Sequence, residues 1–197
     1  MILDLIRHAS TGRRGYLDGR TDPALLDGAT EVVCCRHVGI GWSRVISSPR
    51  RRALDTASAL VAGSDVFCEI HPDWAELDFG AWDGCHYDAI PADALAAFYD
   101  EPNAVAPPDG ESWAQFRARI DAQLHRLVDE ADGAEGPGPV LVVTHAGVIR
   151  MAISQVCGLP LASLWALRVE YGTRVRLRVE RGDNGQLWGE LLELRQA

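Results

Sequence analysis

Two histidines stand directly after apolar runs: MILDLI leads into Arg7-His8, and PVLVV leads into Thr144-His145. A third run, RVI, ends in Ser47-Ser48-Pro49 and passes into Arg50, Arg51 and Arg52. A neutral imidazole is a competent nucleophile near pH 7. Arginine offers a planar, permanently charged set of donors that matches phosphate oxygens. Together they suit phosphoryl transfer, which needs charge on the equatorial oxygens neutralised while a nucleophile attacks in line. The leaving oxygen also needs a proton. The segment PDWAELDFGAWDG offers Asp73, Glu76, Asp78 and Asp83, and a carboxyl desolvated against Trp74 or Trp82 is suited to donate one. Spacing alone does not choose among the four. Of the three consecutive arginines, at most one can point squarely into a common site, because successive helical residues are rotated by about 100°.

Composition narrows the chemistry further. All nineteen basic residues are arginine and lysine is absent, which excludes a phosphate-binding loop lysine, Schiff-base chemistry and a lysine base. A net charge of −9 argues against nucleic acid as a partner. Cys34, Cys35, Cys68, Cys85 and Cys157 are odd in number and scattered, with no CxxC or CxxxH spacing. They are expected to be reduced thiols in a cytoplasmic protein that needs no metal and no cofactor. No apolar stretch approaches the ~20 residues of a membrane span. Asp4 and Arg7 interrupt the first run too early for a secretory signal, so no membrane partner is expected.

These side chains must be positioned by elements. Apolar runs at 2–6 and 139–145, with shorter ones at 44–48 and 66–70, read as strands. Residues 24–38 predict a helix with Leu25, Leu26, Val32 and Val33 on its apolar face. Pro49 can open a helix that continues through 50–62. A helix around 92–99 follows the irregular, Trp-, Asp- and Gly-rich stretch 71–90. Ser112 and Gln115 form a capping-box pattern, and Trp113, Phe116, Ile120, Leu124 and Leu127 recur at helical steps to about Asp129. DGAEGPGP reads as a surface loop. AGVIRMAISQVC reads as a helix closed by Gly158 and Pro160. TRVRLRVE, GDNG and QLWGELLEL predict a hairpin.

Strands alternating with helices imply an α/β three-layer sandwich: a mostly parallel sheet with helices on both faces. A helical insertion at about 83–112 is expected over the carboxyl ends of the strands. At 197 residues and 47% hydrophobic content, the chain is expected to be one domain with a full core. In such sheets ligands bind beyond the carboxyl ends of the strands. Both histidines and the arginines stand there, beside two helix starts that favour anions. The expected ligand is a small phosphorylated metabolite; the oligomeric state stays open, a dimer included.

LIRHAS, SSPRRRALDTA, AELDFGAWDG and VVTHAGVIR resemble, in order, the four signature blocks of the histidine phosphatase superfamily, the phosphoglycerate-mutase-like fold. The resemblance spans about residues 2–180. It implies a metal-independent phosphomonoesterase with His8 as the nucleophile that becomes phosphohistidine. It also implies Arg7, Arg52 and His145 as the phosphate pocket and Glu76 as proton donor. Arg52 is the match because the family block reads SSPLxRAxxTA. The chain departs from the family in having Ala9 where glycine is usual, and STGRRGYLDGR lacks the Glu, Trp and Asn typical of mutases. Gly19 matches a glycine of the family's substrate loop; Arg14 and Arg20 beside it are candidate substrate contacts. Trp82 or Trp113 could stack on a base. YLDGRTDPAL, ELDFGAWDGCHYDAIP, PPDGES and VTHAGVIRMAISQVCGLPL narrow the resemblance to the branch that removes the 5′-phosphate of α-ribazole 5′-phosphate. The alternatives are a broad-specificity phosphatase, a phosphoglycerate mutase, and a non-catalytic phospho-ligand binding module on the same fold.

Overall fold

The computed structural model describes residues 1–100, 105–133 and 138–196. Six strands form one sheet: β1 (Ile2–Arg7), β2 (Arg44–Ser47), β3 (Cys68–Ile70), β4 (Val140–Thr144), β5 (Arg174–Arg181) and β6 (Leu187–Arg195). Their order is β3-β2-β4-β1-β5-β6. The first four in that order run parallel, and β5 and β6 add an antiparallel hairpin beside β1. The buried apolar runs of β1 and β4 are what a doubly covered parallel sheet requires.

Alternate residues of these strands feed two cores. Leu3, Leu5, Val140 and Val142 pack beneath α4 (Trp113–Asp132) and α5 (Ala146–Cys157). Ile6, Val45, Leu141 and Val143 pack beneath α1 (Ala29–Arg36) and α2 (Arg51–Leu60). Helix α4 starts on a complete capping box: Ser112 Oγ accepts Gln115 N–H at 3.2 Å, and Gln115 Oε1 accepts Ser112 N–H at 2.9 Å. Helix α5 stops at Gly158, whose φ of 66° suits a residue without Cβ.

Between β3 and α4 the chain makes three single 3₁₀ turns at Pro72–Trp74, Gly80–Trp82 and Tyr87–Ala89, then helix α3 (Ala92–Asp100). Residues 101–104 of the expected insertion and 134–137 of DGAEGPGP lie outside the described residues.

Three predicted elements differ. The helix expected over 24–38 is confined to Ala29–Arg36, because Gly28 holds a left-handed φ of 73° at its start; Leu26 and Val32, expected on its apolar face, are exposed. The strand expected over 66–70 is ladder-paired only from Cys68 to Ile70. The helix expected over 50–62 runs from Arg51 to Leu60, after an extended Arg50. No described helix is long and apolar enough to cross a membrane.

Candidate active site

Three adjacent parallel strands deliver side chains to one spot. Arg7 of β1 pairs with Thr144 of β4, and Ser47 of β2 pairs with Val143. His8, His145 and Ser48 therefore emerge side by side just past the ladder. His8 N–H donates to Thr144 O at 2.9 Å and Ser48 N–H to Val143 O at 3.0 Å. The two imidazole rings lie 5.2 Å apart, centroid to centroid.

His8 is buried, with Nδ1 2.8 Å from the Ala9 carbonyl oxygen. A carbonyl only accepts, so the ring hydrogen sits on Nδ1 and Nε2 keeps its lone pair. That lone pair receives Arg52 Nε–H at 3.2 Å. Burial, then the charges of Arg7 and Arg52, hold His8 well below the ordinary histidine value. His145 Nε2 lies 2.7 Å from the buried Ser48 hydroxyl. Accepting that hydroxyl hydrogen leaves the proton of His145 on Nδ1, which is buried and has no partner among the described residues. It is a donor awaiting an acceptor. Burial, followed by the charges of Arg52, His8 and Arg7, depresses His145 as well.

Both rings are thus neutral at pH 7. Protonating His8 would remove the lone pair, so kcat/KM should stay level as pH falls through the ordinary histidine value of 6.5 and decline only below it. The unfolded chain binds these protons at about 6.5. Stability should therefore begin to drop on acidification below that pH. A pH profile with p-nitrophenyl phosphate whose acid limb centred at 6.5 would contradict the depressed values.

Two arginines flank the nucleophile. Arg7 Nη1 donates to Val169 O at 2.7 Å, and its guanidinium lies 3.9 Å over the Tyr171 ring. Its Nε is buried with no partner among the described residues. Tyr171 is tethered by its hydroxyl, 3.1 Å from Thr11 Oγ1 and donating to Arg13 O at 3.2 Å. Arg52 is 1% exposed. It donates to Thr21 O (2.7 Å), Asp22 Oδ1 (3.0 Å), Asp18 O (2.6 Å) and Gly19 O (3.4 Å). Arg51 pairs with Asp55 at the surface, so one of the three consecutive arginines reaches His8, as helical rotation demands.

Glu76 reaches the same floor from the irregular segment. Its Oε2 accepts Gly147 N–H at 3.0 Å, in the first turn of α5, and its Oε1 accepts Leu77 N–H at 3.1 Å. A Cβ on Gly147 would stand 2.3 Å from Glu76 Oε1, so glycine is what lets the carboxylate lie on the helix start. The carboxyl is held by backbone donors, whereas sequence reasoning had looked to Trp74 or Trp82 to desolvate it.

These groups line a cavity of about 480 Å³. Its outer walls include Phe98, Tyr99, Trp113 and Trp165. Arg150 enters between them, anchored to Leu164 O (3.1 Å) and Leu167 O (2.9 Å). Sequence reasoning missed Arg150, although it is the one charged residue in AGVIRMAISQVC. It also missed Tyr171 and Trp165, for which the sequence holds no local signal.

Several expected contacts lie elsewhere. Trp82 is not on the cavity wall; its ring packs edge-on against Phe98 at 5.7 Å. Arg20 is turned away to Asp78 at 3.1 Å, and Arg14 faces solvent beside Glu170. Gly19 does not line the cavity. A Cβ there would meet Leu77 O at 2.2 Å, so its role is close packing of the loop that cradles Arg52. Ala9 takes no positive φ and is fully buried in the α1–α2 core, so alanine is accommodated where the family has glycine. Among the described residues, no group of three or more His, Cys, Asp or Glu is placed to hold a metal ion; the five cysteines are free.

Comparison with known proteins gives concordant findings. A family model described as histidine phosphatase superfamily (branch 1) matches residues 3–189. The adenosylcobalamin/alpha-ribazole phosphatase of Salmonella typhimurium is 30% identical over 182 residues, 87% of each chain. The glucosyl-3-phosphoglycerate phosphatase of Mycobacterium tuberculosis is 32% identical over 177 residues, 84% of this chain and 79% of its own. The crystal structure of the alpha-ribazole phosphatase from Shigella flexneri superposes with a TM-score of 0.81 at 25% identity, covering 100% of this chain and 96% of the other.

Proposed function

The chain belongs to the histidine phosphatase superfamily and is a phosphatase, and from that premise we propose that it hydrolyses α-ribazole 5′-phosphate, or its adenosylcobalamin-linked form, through a phosphohistidine. The observation that carries the mechanism is the fixed tautomer of His8: Nδ1–H on Ala9 O and a bare Nε2 beside Arg52.

In the first step His8 Nε2 attacks phosphorus and forms a P–N bond as the P–O bond to the alcohol breaks. A proton carried by Glu76 passes to the departing oxygen. Arg7, the Arg52 Nε–H and the His145 Nδ1–H neutralise the equatorial oxygens. In the second step Glu76, now a carboxylate, takes a proton from water, whose oxygen attacks phosphorus as the P–N bond breaks. Inorganic phosphate leaves and His8 is regenerated with its lone pair. The aromatic wall of Phe98, Tyr99, Trp113 and Trp165 suits a planar base on the leaving group.

Arg150 supports a second reading. A guanidinium inside the cavity suits a carboxylate on the ester, as in the substrate named for the tuberculosis relative.

The test is phosphate release in EDTA from α-ribazole 5′-phosphate, glucosyl-3-phosphoglycerate, 3-phosphoglycerate and p-nitrophenyl phosphate. The expected result is a kcat/KM for α-ribazole 5′-phosphate at least about tenfold above the other three, with no dependence on added metal. Preference for glucosyl-3-phosphoglycerate would move the assignment to the second reading. Isomerisation of 3-phosphoglycerate would indicate a mutase, and no turnover of any substrate would leave a binding module.

A further inference from the structure

Glu76 sits in a stretch with no strand or helix of its own, between the turns Pro72–Trp74 and Gly80–Trp82. Such backbone has free carbonyls, and a proton donor mounted on it would wander unless something held them. One side chain on α4 does so. Arg119 Nη1 donates to Asp73 O and Ala75 O (2.8 Å), and Nη2 donates to Glu76 O at 3.0 Å. The same guanidinium grips both oxygens of Glu111, Nε–Oε1 at 2.7 Å and Nη2–Oε2 at 2.9 Å. Glu111 in turn accepts Asp78 N–H at 3.3 Å. Gln123, four residues further along α4, ties down the Asp73 carboxylate at 2.9 Å.

We propose that Arg119 is a positioning residue for proton transfer: it fixes three carbonyls of the 73–76 backbone so that Glu76 rests on Gly147 N–H, within reach of the leaving oxygen. A lysine cannot replace it, because a single ammonium lacks the planar fork that spans three carbonyls and a carboxylate. Arg119 is absent from the cavity wall, so its influence on the reaction passes through Glu76. The proposal rests on the reading of Glu76 as the acid.

That route gives a signature that ordinary destabilisation lacks. Loss of proton donation slows esters with poor leaving groups and spares p-nitrophenolate, which needs little protonation. Arg119→Leu should lower kcat/KM by about 30-fold for whichever of α-ribazole 5′-phosphate and glucosyl-3-phosphoglycerate the wild-type enzyme hydrolyses faster, both alkyl esters with poor leaving groups, and by less than about threefold for p-nitrophenyl phosphate. Arg119→Lys should show the same selective loss, and it carries the test alone if the leucine variant fails to fold. In a Glu76→Gln background, Arg119→Lys should add less than about twofold, since coupled sites are not additive. Equal losses on both esters, or full additivity with Glu76→Gln, would overturn the proposal. Glu76→Gln alone slowing both esters equally would instead overturn the assignment of the acid, a distinguishable failure.

Discussion

His8→Ala is expected to reduce kcat/KM for p-nitrophenyl phosphate by a factor on the order of 10⁴ or more. Removing the nucleophile of a covalent mechanism leaves only the binding and electrostatic contributions of the remaining groups. The substitution should not unfold the protein. The ring lines the cavity, and its one backbone hydrogen bond, to Ala9 O, is local. A rapid quench of the wild-type enzyme with labelled substrate should trap an acid-labile, alkali-stable phosphoprotein that His8→Ala does not form. Retention of more than a tenth of the activity by the folded variant would rule out His8 as the nucleophile.

Arg52→Ala is expected to damage two properties at once. Its Nε–H faces the reacting nitrogen while its terminal nitrogens hold Asp18 O, Gly19 O, Thr21 O and Asp22. Losing a charged donor to the transferring phosphoryl group costs on the order of 10²–10³ in kcat. Of these acceptors Gly19 is buried and Asp18 and Thr21 are half-buried, and stranding a buried acceptor costs about 1–3 kcal/mol. In a chain of this size each kcal/mol is worth roughly 2–4 °C, so Tm should fall by about 6 °C or more. Scanning calorimetry and steady-state kinetics on one preparation check both. A variant with wild-type Tm would show that the 18–22 loop does not depend on this arginine.

What the sequence made legible follows a physical division. Strand-end residues such as His8 and His145 are placed by local pattern, since an apolar run and its first polar successor fix where a parallel strand stops. Helix geometry limited the choice to one of three consecutive arginines, and the resemblance of SSPRRRALDTA to the family block singled out Arg52. The outer walls were not. Trp165 and Tyr171 come from late loops that dock against α3 and Arg7 by long-range packing, and nothing near them announces it. Trp82, like Trp113, was expected to stack on a base of the substrate that the resemblance implied. Its ring instead meets Phe98, an aromatic sixteen residues on that only tertiary structure brings close. The helix expected from Leu25 and Leu26 failed on a single residue, Gly28, whose left-handed backbone starts α1 later.

The side-by-side emergence of His8 and His145 has a metric meaning. Neighbouring strands lie about 4.8 Å apart, a constant of the peptide hydrogen bond, and the ring separation of 5.2 Å copies it. A nucleophile and a donor that must flank one tetrahedral phosphoryl group therefore start from the spacing of the backbone ladder, and the contacts to Ala9 O and Ser48 Oγ then orient the two rings. Core substitutions beneath β1 and β4 can cost stability while leaving this calibration intact. A slip in register between the two strands would spoil it, and a slip of one residue would turn every buried side chain of the strand to the opposite face. The measuring device of the site is thus protected by the same constraint that holds the core together.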